Sequence, residues 1–306
     1  MTDRPPTSVL LPTTAWTDAC GEVAAQLAPE DELLIVHDTA ADPVADRETL
    51  PDGVELVRAG EPAGCSGKAN AIAAGMRAAS HDRIVWTDDD FTHPSGWLDQ
   101  LLADYERQGP TTELPVFVGQ DPLAVLLEPV YVLGGTLGTY LGDHAWGGAV
   151  VFDRSDLDVE AFLDELTRTI SDDGHLGEHL DVSAVRRTHE VPIGGDTRTT
   201  LERHVRFTKI AASYDTAGIA VGSLLLVPLA AGTLLYPLFA ALVTLTTLAV
   251  YAAFGVRRPS ALLGVPALLC SPVLTVYAFA RRTFVWGGRR YRWHDTLDVE
   301  IVDSDS

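Results

Sequence analysis

Lysine is almost missing from this sequence: Lys68 and Lys209 are the only two in 306 residues. Residues 1–215 hold 38 acids against 15 bases. A surface of that sign repels phosphate backbones and excludes general nucleic-acid binding, which needs a basic footprint. The formal net charge is -21 and the pI about 4.6, a composition that keeps a protein soluble in concentrated salt and points to a halophilic source. Cysteine is scarce too. Cys20, Cys65 and Cys270 match no zinc spacing, and an odd number makes a poor disulfide framework, so a reducing compartment is expected. The first residues, M-T-D-R-P-P-T, contain no apolar run, so no signal peptide is expected.

In the last third, charge itself is what is missing. Residues 217–254 are 38 positions without a charged side chain, and residues 261–280 are another 20. A bilayer-crossing helix takes about 20 apolar residues. The first run can therefore cross twice, turning near Gly232 to Pro237. The second is weakened by Pro266 and Pro272 and reads as a third span or a re-entrant helix; a buried soluble hairpin is the alternative. Residues 255–294 carry seven arginines and no acid, and basic loops favour the cytoplasmic side. The expected organisation is an α/β domain over 1–215, a membrane region over 216–282 with two to three transmembrane or re-entrant helices, and a basic then acidic tail over 283–306.

Strand and helix patterns alternate through the first domain, which predicts a mixed, mainly parallel sheet with helices on both faces. Strands are expected over 8–11, 32–36, 54–57, 83–87, 116–118, 130–133 and 149–152. Helices are expected over 18–27, 68–79, 97–108, 156–170 and 199–212, with a break at Ser171 to His175 before another short helix. Three aspartates, Asp88, Asp89 and Asp90, follow the 83–87 strand. Ligands of open α/β sheets bind outside the carboxyl ends of strands, and carboxylates crowded there repel one another unless a cation neutralises them. Oxygen-only donors suit Mg2+ or Mn2+; the alternative is a solvated acidic turn.

Asp38 ends the 32–36 strand, Asp172 and Asp173 follow the Gly147-Gly148 strand and its helix, and Arg203-His204-Val205-Arg206-Phe207 precedes the membrane run. That order resembles family 2 glycosyltransferases, inverting enzymes of the GT-A fold, and is most similar to the ceramide glucosyltransferase-like branch. The family pattern is a first Asp, a D-x-D, a third Asp usually written E-D, and a Q/R-x-x-R-W box. Ser66 to Ile72 and Trp146-Gly147-Gly148 with Arg154-Ser155 also look like family segments. Two departures stand out: Phe207 replaces the usual Trp, and Asp172 the usual Glu.

The resemblance implies a membrane-anchored hexosyltransferase with a UDP- or GDP-sugar donor, Mg2+ or Mn2+, a lipid-borne acceptor and a catalytic domain on the cytoplasmic face of the cell membrane. Asp90 then ligates the metal, and Asp88 the metal or the ribose. Asp38 contacts base or ribose, or only caps a turn. Lys68 reaches a base or phosphate, or is solvated. Asp173 takes the proton of the acceptor hydroxyl, or caps a helix together with Ser171. Asp172, Trp146, Gly147, Gly148 and Phe207 lie on the acceptor side. Arg203 and Arg206, three apart on one helical face, meet the leaving diphosphate or only lipid headgroups. A phosphosugar or nucleotidyl transferase on lipid phosphate, or an inactive membrane scaffold of the same fold, are the rival readings.

Overall fold

The computed structural model describes residues 4–302; the end of the acidic tail, 303–306, lies outside the described residues. In chain order the elements are β1 (Thr7–Pro12), α1 (Asp18–Ala24), β2 (Glu32–His37), β3 (Val54–Arg58), α2 (Gly67–Ala78), β4 (Arg83–Thr87), α3 (Trp97–Gln108), β5 (Thr111–Gly119) and α4 (Pro122–Tyr131). A π-helical stretch, Val132–Leu137, leads into α5 (Gly138–Gly142). There follow β6 (Ala149–Asp153), α6 (Val159–Leu166), α7 (Asp172–His179), β7 (Ser183–Ile193), α8 (Thr197–Tyr214), α9 (Thr216–Leu235), α10 (Pro237–Ala253) and α11 (Gly264–Ala280). Three strands end the described chain: β8 (Thr283–Trp286), β9 (Arg289–Asp295) and β10 (Asp298–Val302).

The main sheet has seven strands in the order β3-β2-β1-β4-β6-β5-β7. β1 pairs in parallel with β2 and with β4, and β2 with β3. β6 runs antiparallel to β4, with Thr87 opposite Ala149. The sheet is therefore mixed and mainly parallel. Its direction of winding changes between β1 and β4, which is where such sheets open a crevice at their carboxyl edge. Because β6 runs the other way, its start, and not its end, lies at that edge.

Two compact units make up the chain. The first takes in the residues up to Leu114, Tyr140–Val185 and Leu297–Glu300; the second takes in Pro115–Thr139 and Arg186–Thr296, with Ile301 onward. In the first unit, strand side chains alternate between two covered faces. Leu10, Leu34, Val36, Ile84, Trp86, Val150 and Phe152 pack with Ile72 and Met76 of α2, Phe162 of α6 and Leu176 of α7. The alternate residues Val9, Leu11, Leu33, Ile35, Val85 and Val151 are just as buried, and α1 and α3 pack against β2 and β6. On the first face α2 comes very close: a Cβ on Gly75 would stand 3.0 Å from Val36 Cγ2.

The second unit is largely apolar helix. Pro122–Gly142, Thr216–Leu235 and Pro259–Ala280 are each long and apolar enough to cross a membrane, and Pro237–Ala253 is a shorter apolar helix. Leu224, Leu234, Leu235, Leu238 and Leu245 are exposed, an outer surface that suits hydrocarbon and not water. α4 starts at an Asp121 cap whose carboxylate accepts from the Leu123 and Ala124 amides and from Thr200 of α8. Glu128 is buried in the same helix. It accepts from the Gly119 amide at 2.8 Å, from Arg258 at 3.0 and 2.8 Å, and from Ser260.

Four expectations need correction. Residues 130–133 are helical and not a strand, because Pro122 after the Asp121 cap starts a helix that overrides the strand preference of its valines. The expected break at Ser171 to His175 is the first turn of α7, with Ser171 capping it. Residues 183–193, for which no element was expected, form β7. The tail after 283, for which no element was expected, is folded up to Val302: β8 and β9 form an antiparallel hairpin closed by Gly287-Gly288, both at positive φ, as a tight hairpin turn requires.

Candidate active site

The carboxyl edge of the first unit's strands gathers most of the expected residues. β2 delivers Asp38, which is 8% exposed, and its backbone carbonyl accepts from the Gly60 amide. β4 delivers Asp88 to Asp90. The middle residue is not simply solvated: Thr13, just past β1, donates its hydroxyl to Asp89 Oδ2. α2 begins at the same edge. Ser66 caps it, accepting from the Ala69 amide at 3.0 Å, and sets Lys68 in the first turn.

Lys68 joins two distant parts of the chain. Its Nζ lies 2.6 Å from Asp88 Oδ1 and 3.3 Å from Asp172 Oδ2. The end of β4 and the start of α7 therefore meet at one ammonium. Burial alone would lower the Lys68 pKa, but Asp172, Asp88 and Asp173 outweigh it and hold the group firmly charged. Burial pushes the Asp88 carboxyl up to about 7; Lys68 pulls it down, and Asp90 and Asp89 push it further up. Asp172 is likewise pushed to about 7 by burial, with Lys68 opposing and Asp173 adding to the rise.

Glycine is required at the start of β6. A Cβ at Gly147 would stand 2.5 Å from Asp172 Oδ2 and 3.0 Å from Lys68 Nζ, so any side chain there displaces the ion pair. A Cβ at Gly148 would meet the Trp146 ring at 2.3 Å. Trp146 is buried, its ring 5.3 Å from that of Phe91. Thr87 Oγ1 donates to the Gly148 carbonyl at 2.9 Å and so fixes the glycine pair against β4. Arg154 has a structural place instead: it donates to the Met76, Ala79 and His81 carbonyls, closing the end of α2.

The two aspartates of α7 differ. Asp172 is 2% exposed, and its Oδ2 has no hydrogen-bond partner. Asp173 is half-buried. Its Oδ1 accepts from Ser171 Oγ at 2.6 Å and from the Gly174 amide at 2.8 Å, while Oδ2 has only a long contact with the Gly147 amide, 3.5 Å. The capping role expected for this pair is real, but it occupies one oxygen of Asp173.

Asp88 and Asp90 fit a hard divalent cation. They are neighbouring oxygen donors beside the Lys68 ammonium, and the burial of Asp172 and the partial burial of Asp88 make charge costly there. The Cys65 thiol is less available: burial pushes it up to about 11, with the Asp38 charge adding to the rise.

Arg203, Arg206 and Phe207 belong to the second unit, on α8. The Arg206 guanidinium lies 4.2 Å from the centroid of the Trp286 ring and 5.1 Å from that of Phe207. Phe207 packs on Phe117 and Tyr131 at 5.2 and 5.7 Å. The indole missing at position 207 is thus supplied beside Arg206 by β8. Nothing in the pattern of residues points to this, because Phe207 and Trp286 stand 79 positions apart. Thr13 was also missed; a hydroxyl just past a strand is common, and only the fold shows that it meets a carboxylate.

Parallel strands that open at their carboxyl edge onto an acidic cluster, with one strand entering antiparallel, make a mixed, mainly parallel α/β domain. Residues 18–130 match the sequence profile of the family described as Glycosyl transferase family 2. No curated protein matches the chain. Among solved structures, the chain is similar to glucosyl-3-phosphoglycerate synthase from Mycobacterium tuberculosis in complex with phosphoglyceric acid. The identity is 16%, over 68% of this chain and 78% of that one, with a TM-score of 0.40. The same synthase with Mn2+, uridine diphosphate and glucosyl-3-phosphoglycerate matches at 17% identity over the same shares, with a TM-score of 0.40.

Proposed function

We propose that this protein is a membrane-anchored, inverting glycosyltransferase that moves a hexose from a UDP- or GDP-sugar to a lipid-borne acceptor at the cytoplasmic face. The observation that carries the reading is the Lys68 bridge, which joins the aspartates after β4 to the aspartate pair of α7. Those are the donor and base positions of the family pattern, and the profile match over 18–130 spans the donor half. The three long apolar helices support the anchoring and, with it, an acceptor that resides in the membrane.

Asp88 and Asp90 hold Mg2+ or Mn2+ in this reading, and the metal, when bound, offsets the negative charge on the leaving nucleoside diphosphate. The remaining work belongs to the chain. Asp38 orients the base or ribose. Lys68 keeps Asp88 in place and adds positive charge beside the diphosphate. Asp172 is too buried to meet an acceptor; it holds Lys68. Asp173 Oδ2 takes the proton of the acceptor hydroxyl as that oxygen bonds to the sugar C1 and the bond from C1 to the diphosphate oxygen breaks. Ser171 and the Gly174 amide hold the other oxygen still. The family pattern gives the departing diphosphate to Arg203 and Arg206, and Trp146, Gly147, Gly148 and Phe207 to the acceptor side, and the proposal keeps those assignments.

The test is a donor panel with the detergent-solubilised protein, native lipid extract and Mn2+ in molar salt. Release of nucleoside diphosphate with a labelled lipid is the expected result. Nucleoside monophosphate points instead to phosphosugar transfer. Transfer to water-soluble acceptors alone removes the lipid assignment. Asp173→Asn should lower turnover by about 10²–10⁴-fold, the usual range for a general base, with donor binding unchanged.

A further inference from the structure

Beyond the aspartate pair, α7 carries two histidines, His175 and His179, four apart and so on one helical face. Glu165 of α6 meets them. Its Oε2 lies 3.0 Å from His179 Nε2 and 3.6 Å from His175 Nε2. One donor atom from each of the three residues falls within 4.8 Å of the other two. Zn2+ holds nitrogen and oxygen ligands at about 2.0–2.1 Å, so two ligands of a tetrahedral ion stand about 3.4 Å apart. The two separations from Glu165 bracket that value.

A second observation points to a ligand. The His175 side chain is 3% exposed, and its Nε2 is buried with no hydrogen-bond partner. The ring cannot easily turn away. It hydrogen-bonds to the Phe162 backbone and stacks on the Phe162 ring, with centroids 5.2 Å apart and planes at 11°. A carbonyl bond from one ring nitrogen is the usual way in which a ligating histidine is fixed, leaving the other nitrogen bare for the metal.

We propose that Glu165, His175 and His179 form a divalent site of the zinc class, which clamps α7 to α6 and so holds the helix that begins with Asp172 and Asp173. Two imidazoles and one carboxylate suit Zn2+, whereas the oxygen-only donors Asp88 and Asp90 suit Mg2+ or Mn2+. The two sites therefore choose different ions. The run His175-Leu176-Gly177-Glu178-His179 is spelled like a zinc-peptidase helix, but Glu178 is exposed, and the role assigned here is structural. This site does not depend on the glycosyl-transfer reading.

The test uses the full chain in detergent, stripped with chelator and then titrated with Co2+ in the presence of excess Mg2+. One equivalent should bind with the intense visible bands of four-coordinate cobalt, and Zn2+ should displace it. His179→Ala and Glu165→Gln, at partly exposed positions that keep the fold by circular dichroism, should each lose the bands; Asp90→Asn should keep them. Zn2+ should also raise the thermal midpoint of the parent protein and leave that of His179→Ala unchanged. No bands in the parent protein, bands that persist in both variants, or bands lost in Asp90→Asn overturn the proposal.

Discussion

Replacing Lys68 by Met keeps most of the stem volume and removes the ammonium that serves both Asp88 and Asp172. Breaking a buried ion pair at one partner costs about 3–5 kcal/mol, because the other charge stays buried and unpaired. In a domain of this size each kcal/mol moves the melting midpoint by about 2–4 °C, so a fall of about 6–20 °C is expected. The sign of its pH dependence follows from the acids. Asp88 and Asp172 titrate near 7 in the fold against an ordinary 3.8, so between those values the folded protein binds more protons than the unfolded chain, and stability falls as pH rises through that window. Lys68 opposes the rise at both acids; without it they move higher still. The deficit of Lys68→Met should therefore be large at pH 8.5 and shrink toward pH 5, where both acids are protonated. Differential scanning fluorimetry in excess EDTA measures this, since chelation keeps a divalent ion from replacing the lost charge. An equal deficit at both pH values refutes the argument, and so does no deficit at pH 8.5.

Gly147→Ala places a methyl against Asp172 Oδ2 and Lys68 Nζ; overpacking of this kind costs about 1–3 kcal/mol, and turnover should fall more than the melting midpoint does. Asp90→Asn should abolish the stimulation of turnover by Mn2+ while leaving the circular dichroism spectrum unchanged. Arg258→Met strands the buried Glu128 and should destabilise the second unit by about 3–5 kcal/mol; the double change with Glu128→Gln should recover much of that loss in a detergent melt. Arg206→Lys keeps the charge but loses the guanidinium contact with the Trp286 ring, worth about 0.5–2 kcal/mol, and should weaken donor binding more than Lys68→Arg does.

Much of the first unit could be read from residues alone. The 83–87 strand and the 97–108 helix begin and end where the pattern put them, because β-branched residues, glycines and caps mark them sharply. Asp38 and Asp88 were legible as positions just after strands, Lys68 as the start of a helix, and Asp172 in the break after one. What could not be read is that one lysine would join two of them, since the pairing depends on β6 entering antiparallel. β7 was hidden by the charges at 186–190; its clue is that His189, Val191 and Ile193 point inward and alternate with exposed Glu190 and Pro192. The helix at 122–131 was lost to its valines. The burial of His175 and its missing partner come only from three dimensions.

The reversed direction of β6 also bears on when the aspartate cluster is completed during synthesis. A nascent chain that has left the ribosome as far as Leu114 already holds Asp38, Lys68 and Asp88, yet lacks both carboxylates of α7 and the glycines beside them. A hydrophobic helix must emerge and find its place before those arrive. No early fragment can complete the aspartate cluster ahead of that helix.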